Sequence, residues 1–207
     1  MAQYFEIHPE NPQPRLITRA IEIIAGGGVV VYPTDSSYAL GCQIGEKTAL
    51  DRIRMIRRLD DKHNFTLVCS DLSEIANYAR IDNQGYRLLK SLTPGPYTFI
   101  YQATKQVPRR LLHPKRRAIG IRVPDTPICR ALLTELGQPI LSTTLILPGD
   151  TAPLNDTYEM REAIGHCVDL IIDGGPCGTE PTSVIDMSQD PPIVVRAGKG
   201  DVSLFED

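Results

Sequence analysis

The stretch Val30 to Gln43, VVYPTDSSYALGCQ, decides how the rest of the chain is read. With Val29 before it, the run Val29-Val30-Val31-Tyr32 has the β-branched density of a buried central strand. Pro33 stops that strand, because proline has no N–H to give to a ladder. Three short oxygen-bearing side chains follow, Thr34, Asp35 and Ser36. Tyr38, Gly41 and a second apolar run then complete the unit. Polar groups gathered at a strand end point to a site, since rigid strands present loop residues to ligands. A plain hydrophilic turn would account for the same composition.

Working outward, Arg15 to Ala25 reads as a helix with a broad apolar face, ended by Gly26-Gly27-Gly28. The glycines follow a helix and precede a strand, the wrong order for a strand–loop–helix phosphate cradle, so they read as a cap. Glu46 to Arg58 is a second helix with Leu50, Ile53 and Ile56 inward and Arg52, Arg54, Arg57 and Arg58 crowding its later turns, where cations suit the helix dipole. Phe65 to Cys69 is a strand, and Asp71 with Glu74 has capping-box character. Tyr97 to Gln102 and Ala118 to Val123 are strands. Thr126-Pro127 opens a helix that Gly137 closes. Val168 to Ile172, Ser183 to Asp186 and Ile193 to Val195 read as the last strands. Strands and helices mix along the whole length, which predicts an α/β class with one sheet and crossovers, and a single domain over 1–207.

The chain has 207 residues, 42% of them hydrophobic, enough to bury a sizeable core. No run of 18 apolar residues occurs, so no membrane partner is expected. The first fifteen residues lack the basic start and apolar core of a signal peptide. Five cysteines without CxxC spacing argue against a disulfide framework or a cysteine zinc site. Together these features predict a cytoplasmic protein. Net charge is −3, but its distribution is uneven. The 42 positions from 83 to 124 hold no acid and nine basic residues, Arg109, Arg110, Lys115, Arg116, Arg117 and Arg122 among them. Such a segment attracts phosphates or nucleic acid unless folding interleaves it with the acidic C-terminal third.

Seven polar strand ends occur in order: PTDSSYALG, TPGPYTF, IGIRVP, LSTT, IIDGG, PTSVID and VVRAG. In this order and spacing they resemble the YrdC-type threonylcarbamoyl-AMP synthase family. The segments IRRLDDKHNFTLVCSDL and LSTTLILPG look like its YciO-type branch. The resemblance runs from about Leu16 to Gly198. It implies a YrdC-like twisted mixed sheet flanked by helices around a large open concave cavity. It further implies chemistry in which ATP, bicarbonate and L-threonine give threonylcarbamoyl-AMP and pyrophosphate, for modification of tRNA.

Carried over by position, the resemblance puts Thr34 and Ser36 near a threonine moiety, with Tyr38 walling its pocket. Arg122, Thr182, Ser183 and Arg196 would line the nucleotide side. Ser142, Thr143 and Thr144 would supply hydroxyls near phosphate, and Arg57, His63 and Thr144 would form the catalytic group. No tightly bound cofactor or metal is implied. Mg2+ would arrive with ATP, with Asp35, Asp60, Asp61 and Asp173 as outer contacts.

The chain departs from the pattern where the synthases carry Lys-x-Arg and Ser-x-Asn. Those windows have Arg57 and Leu59 in the first and end on Ile146 in the second, and a further family lysine falls opposite His63. Each missing cation or donor is worth about 2.7–4 kcal/mol in comparable sites. The expectation is therefore a nucleotide-handling protein that synthesises poorly and acts in breakdown of threonylcarbamoyl-AMP. The alternative is a double-stranded RNA or tRNA binder using Arg109, Arg110, Lys115, Arg116 and Arg117, with Arg52, Arg54, Arg57, Arg58 and Lys62 on the rim.

Overall fold

The structure, a computed structural model, describes residues 1–60, 63–112 and 117–205. In chain order the elements open with β1 (Gln3–Glu6), α1 (Pro14–Ala25), β2 (Val30–Tyr32), β3 (Ala39–Gln43), α2 (Lys47–Arg57) and β4 (Thr66–Val68). Next come α3 (Leu72–Tyr78), α4 (Asn83–Leu92), β5 (Tyr97–Gln102), β6 (Ala118–Arg122), α5 (Pro127–Leu136) and β7 (Ile140–Thr144). The chain closes with α6 (Thr157–Ile164), β8 (Leu170–Asp173), β9 (Ser183–Asp186) and β10 (Ile193–Arg196).

Local signals place most boundaries. Pro14 opens α1 where a missing N–H costs nothing, and Gly27 takes the left-handed conformation (φ +83°) after it. The Gly28 N–H then bonds the Ile23 carbonyl (2.9 Å) and the Gly27 N–H the Ile24 carbonyl (3.0 Å), a Schellman closure. The triple glycine is a cap. In α3 the Asp71 carboxylate accepts from the Glu74 N–H (2.9 Å), as a capping box requires. Glu74 reaches back one residue further than the box prescribes, to the Ser70 N–H (2.6 Å). Thr126 caps α5, and Gly137 (φ +66°) ends it.

The ten strands form one mixed sheet in the order β1-β8-β2-β3-β7-β4-β6-β5-β9-β10. β8 pairs parallel with both β1 and β2, β4 with β6 and β5 with β9; the remaining pairs are antiparallel. Period-2 alternation divides the core in two. Val29 and Val31 point to one face, where α2, α3, α4 and α6 bury Leu50, Ile53, Ile75, Leu89 and Met160. Val30 and Tyr32 point to the other, where α1 and α5 bury Ile17, Ile24, Leu132 and Leu133.

The second face is only half covered. α1 and α5 pack over β2, β3, β8 and the near ends of β4 and β7. Beyond them β4, β6, β5 and β9 turn small or polar side chains outward. Thr66, Thr98, Gly120 and Arg122 alternate with the buried Leu67, Phe99, Ile119 and Ile121. This uncovered half is the floor of a cavity.

Candidate functional site

The cavity has a volume of about 240 Å3, and three of its lining residues are arginines, Arg57, Arg122 and Arg196. Its remaining wall is in part hydroxyl-bearing (Ser37, Ser142, Thr143, Thr144, Thr182) and in part apolar (Val68, Ile100, Ile146, Val184, Val195). No carboxylate lines it among the described residues. A Cβ on Gly120 would meet Thr66 Oγ1 at 2.9 Å and the Phe65 carbonyl at 3.2 Å, so glycine keeps the floor low here.

Arg122, at the end of β6, is 8% exposed. Among the described residues one nitrogen, Nη2, makes its side-chain hydrogen bonds: to the Asp35 carboxylate, to Ser36 Oγ (3.0 Å) and to Thr34 Oγ1 (3.3 Å). Arg196 leans on Thr182, donating from Nε to its carbonyl (3.0 Å) and from Nη2 to its hydroxyl (3.2 Å). Burial, and then the nearby Arg122 guanidinium, lower its pKa. Thr182 is held in turn by Thr98 (2.9 Å). Burial likewise lowers the pKa of Arg57, whose Nε has no hydrogen-bond partner.

His63 shares a hydrogen bond with Thr143 Oγ1 (3.1 Å) and packs edge-on against Phe65, ring centroids 5.2 Å apart. Burial first, and then the Arg57 guanidinium, push its imidazole down to about 4. At neutral pH it is therefore an uncharged ring, and it does not restore the cation that a lysine would supply. Leu59 packs against the core, while Ile146 stands in the cavity wall.

Several site residues read from the sequence are placed off the cavity. Thr34 builds the loop: its hydroxyl donates to the Ser37 carbonyl (2.6 Å) and accepts from the N–H groups of Ser36 and Ser37 (both 3.2 Å). The cavity residue of this loop is Ser37, and Ser36 binds Arg122 beneath it. Tyr38 is fully buried, its hydroxyl donating to the Gly175 carbonyl (2.7 Å) and accepting from the Gly174 N–H (3.3 Å), so it is a strut between two loops. Ser183 is also fully buried and ties down the C-terminal loop, donating to the Gly200 carbonyl (2.5 Å) and accepting from the Gly198 N–H (2.9 Å). Ser142 does face the cavity but accepts from the Tyr32 hydroxyl (2.8 Å).

Of the acids expected as outer metal contacts, Asp35 and Asp173 are committed elsewhere. Asp35 pairs with Arg122. Asp173 accepts from Tyr4, from Thr157 (2.9 Å) and from the Gly175 N–H (2.9 Å). Burial raises the Asp173 pKa, and these hydrogen bonds outweigh it, leaving the value lowered. Asp61 lies outside the described residues.

The basic residues separate into two uses. Arg52 binds Asp169 (2.7 Å) and the Cys167 carbonyl (2.9 Å), tying α2 to the start of β8. Arg54 stacks over Phe65, 5.8 Å from its centroid. Arg109 and Arg117 instead line a separate depression with Arg80 and Lys105, again without a carboxylate among the described residues. It sits at the far end of β6 from Arg122, about 16 Å away along the strand. Lys62, Lys115 and Arg116 lie outside the described residues.

Sequence signals for the missed lining residues were present. Thr98 sits between the aromatics of β5, and Gly120 between two isoleucines of β6. Each is the small partner in a period-2 pattern.

Residues 22–198 match the Sua5/YciO/YrdC family, described as "Telomere recombination". The chain belongs to the Sua5/YciO/YrdC family. The YciO protein of Escherichia coli K12 is 57% identical over 205 residues, 99% of this chain and 100% of the relative. The crystal structure of E. coli YciO superposes with a TM-score of 0.96 at 56% identity, over 99% of this chain and 100% of that one. A threonylcarbamoyl-AMP synthase from Nitrosococcus oceani is 31% identical over 156 residues, 75% of this chain and 83% of the relative. Sua5 of P. abyssi, solved in complex with L-threonine, shares the fold, with a TM-score of 0.87 at 23% identity over 95% of this chain and 58% of that one. No described helix is long and apolar enough to cross a membrane.

Proposed function

We propose that the cavity binds adenylates and that the chain is a poor threonylcarbamoyl-AMP synthase, acting instead in breakdown of threonylcarbamoyl-AMP to AMP. The observation that carries this reading is the set of three arginines in a partly apolar lining with no carboxylate among the described residues. Guanidinium groups in a half-buried site grip phosphate oxygens, and an apolar wall suits a base or an acyl group.

Synthesis brings a carbamate anion towards a triphosphate, which demands preorganised cations and donors. Here Leu59 packs against the core, the Ile146 side chain offers no hydrogen bond and His63 is neutral. Hydrolysis asks less of the cavity. Water adds to the carbamoyl carbon, the bond from that carbon to the phosphate oxygen breaks, AMP leaves, and the released carbamate loses CO2 to give threonine. In this reading His63, neutral and hydrogen-bonded to Thr143, accepts the proton from water. Arg122 and Arg196 hold the departing AMP phosphate.

Calorimetric titration with ATP, AMP, L-threonine and threonylcarbamoyl-AMP tests the binding, and assays of pyrophosphate release from ATP and of AMP formation from threonylcarbamoyl-AMP test the direction. The reading expects AMP and threonylcarbamoyl-AMP to bind, and little pyrophosphate to form from ATP, threonine and bicarbonate. Robust pyrophosphate release that needs both threonine and bicarbonate would overturn it.

A second reading, compatible with the first, is duplex RNA or tRNA binding. The depression lined by Arg80, Lys105, Arg109 and Arg117 supports it. Nothing there is built to read bases, so such contact would be to the phosphodiester backbone and strongly salt-dependent. Gel-shift titration at about 50 mM salt tests it, and absence of any shift would remove it.

A further inference from the structure

We infer that Asp35 is a positioning residue for Arg122, setting the cavity's most buried cation in the pose that takes a ligand phosphate. The inference rests on the adenylate reading. Asp35 does not line the cavity, so it acts on a ligand only through its partner. Its carboxylate takes Arg122 end-on through Nη2, the same nitrogen that Ser36 and Thr34 hold. All the anchoring bonds thus fall on one nitrogen of a planar fork. Among the described residues Arg122 Nε is buried with no hydrogen-bond partner, and so is the second Asp35 oxygen, Oδ2.

A guanidinium offers five N–H donors in a rigid plane, and fixing one corner fixes the direction of the rest. A fork–fork pair with Asp35 would have used Nε and Oδ2 as well, leaving the arginine satisfied and closed. The end-on pair leaves donors free on a side chain that faces the cavity.

Asp35 is itself held from two sides. Thr34 folds the loop around its hydroxyl, and the Asp35 carbonyl accepts from the Lys199 ammonium. Lys199 belongs to the C-terminal loop that Ser183 and Pro181 tie down. The acid is thereby rigid enough to orient a neighbour.

The sign of one substitution separates positioning from simple neutralisation. Asp35 is negative, so if it did no more than cancel charge, Asp35→Asn would tighten AMP binding. Positioning predicts the opposite, a loss of about tenfold or more, with Asp35→Glu recovering part of it. The second readout needs no ligand: the Arg122 Nε–H resonance in a 15N spectrum, assigned by its disappearance in Arg122→Lys. It should be sharp in the wild type and broadened in Asp35→Asn, while the backbone spectrum stays that of a folded protein.

Unchanged or tighter AMP binding in Asp35→Asn would overturn the proposal, as would an Nε–H signal that keeps its position and width. If the wild type binds no AMP, the adenylate reading fails instead, and the resonance alone then decides the positioning role.

Discussion

One face of the sheet carries two different halves. Over β2, β3 and β8 it is paved with Val30, Tyr32, Ala39, Leu170 and Ile172 and sealed by α1 and α5. Over β4, β6, β5 and β9 the same face offers Thr66, Gly120, Arg122, Thr98 and Val184, and no described helix covers it. The strands all belong to one hydrogen-bonded sheet. The difference lies in side-chain size and polarity at alternate positions. Large apolar residues recruit a helix, because leaving them in water costs about 1.5–3 kcal/mol each. Small and polar ones do not, and what they leave open is a binding surface. The far face needs no such division, since α2, α3, α4 and α6 cover it with one core.

The comparison breaks most sharply in stability. Leu132→Ala, in the sealed half, should lower unfolding free energy by about 2–5 kcal/mol in denaturant titration while leaving AMP affinity unchanged. Gly120→Val, in the open half, should cost about 1–3 kcal/mol through its clash with Thr66 and Phe65, and should abolish AMP binding by raising the floor. Equal effects of both changes on affinity would erase the distinction between the halves.

His63 gives a smaller, pH-dependent effect. Its folded pKa of about 4 lies below the ordinary 6.5, so the unfolded chain binds this proton more readily. Above pH 6.5 both states are neutral and stability is full. Between 6.5 and 4 only the unfolded state gains the proton, so stability falls as pH falls, and below 4 the slope vanishes. Unfolding curves across that window should show the slope, and His63→Gln should flatten it.

The smallest effect concerns the second basic region. Changing Arg80, Arg109 and Arg117 to serine should leave stability and AMP affinity alone. It should weaken duplex RNA binding and reduce its salt slope by up to about 3.

Much of the fold was legible because its signals are local. Val29 to Tyr32 announced a strand buried on both faces, Gly26 to Gly28 a helix end, and Thr126-Pro127 with Gly137 both ends of α5. The site was legible only in part. Arg122 and Arg196 were placed on the nucleotide side by the family resemblance, and both line the cavity. Thr34 and Tyr38 were read as ligand-facing, yet a loop hydroxyl is as well suited to its own backbone as to a ligand, and only the folded loop decides. The same holds for Ser183, one position from the Thr182 that faces the cavity; a strand's two faces differ by a single residue. Asp35 looked like a solvated turn acid or a metal contact. Its pairing with Arg122 spans 87 positions of sequence and has no local signature.

The central claim is that the open half of the sheet is an anion cavity gripped by arginines, and calorimetric titration of AMP into the wild type and Arg122→Gln tests it most directly. The account predicts saturable 1:1 binding that the substitution weakens by at least about tenfold, ~1.4 kcal/mol. No binding to the wild type, or equal binding to both proteins, would contradict it.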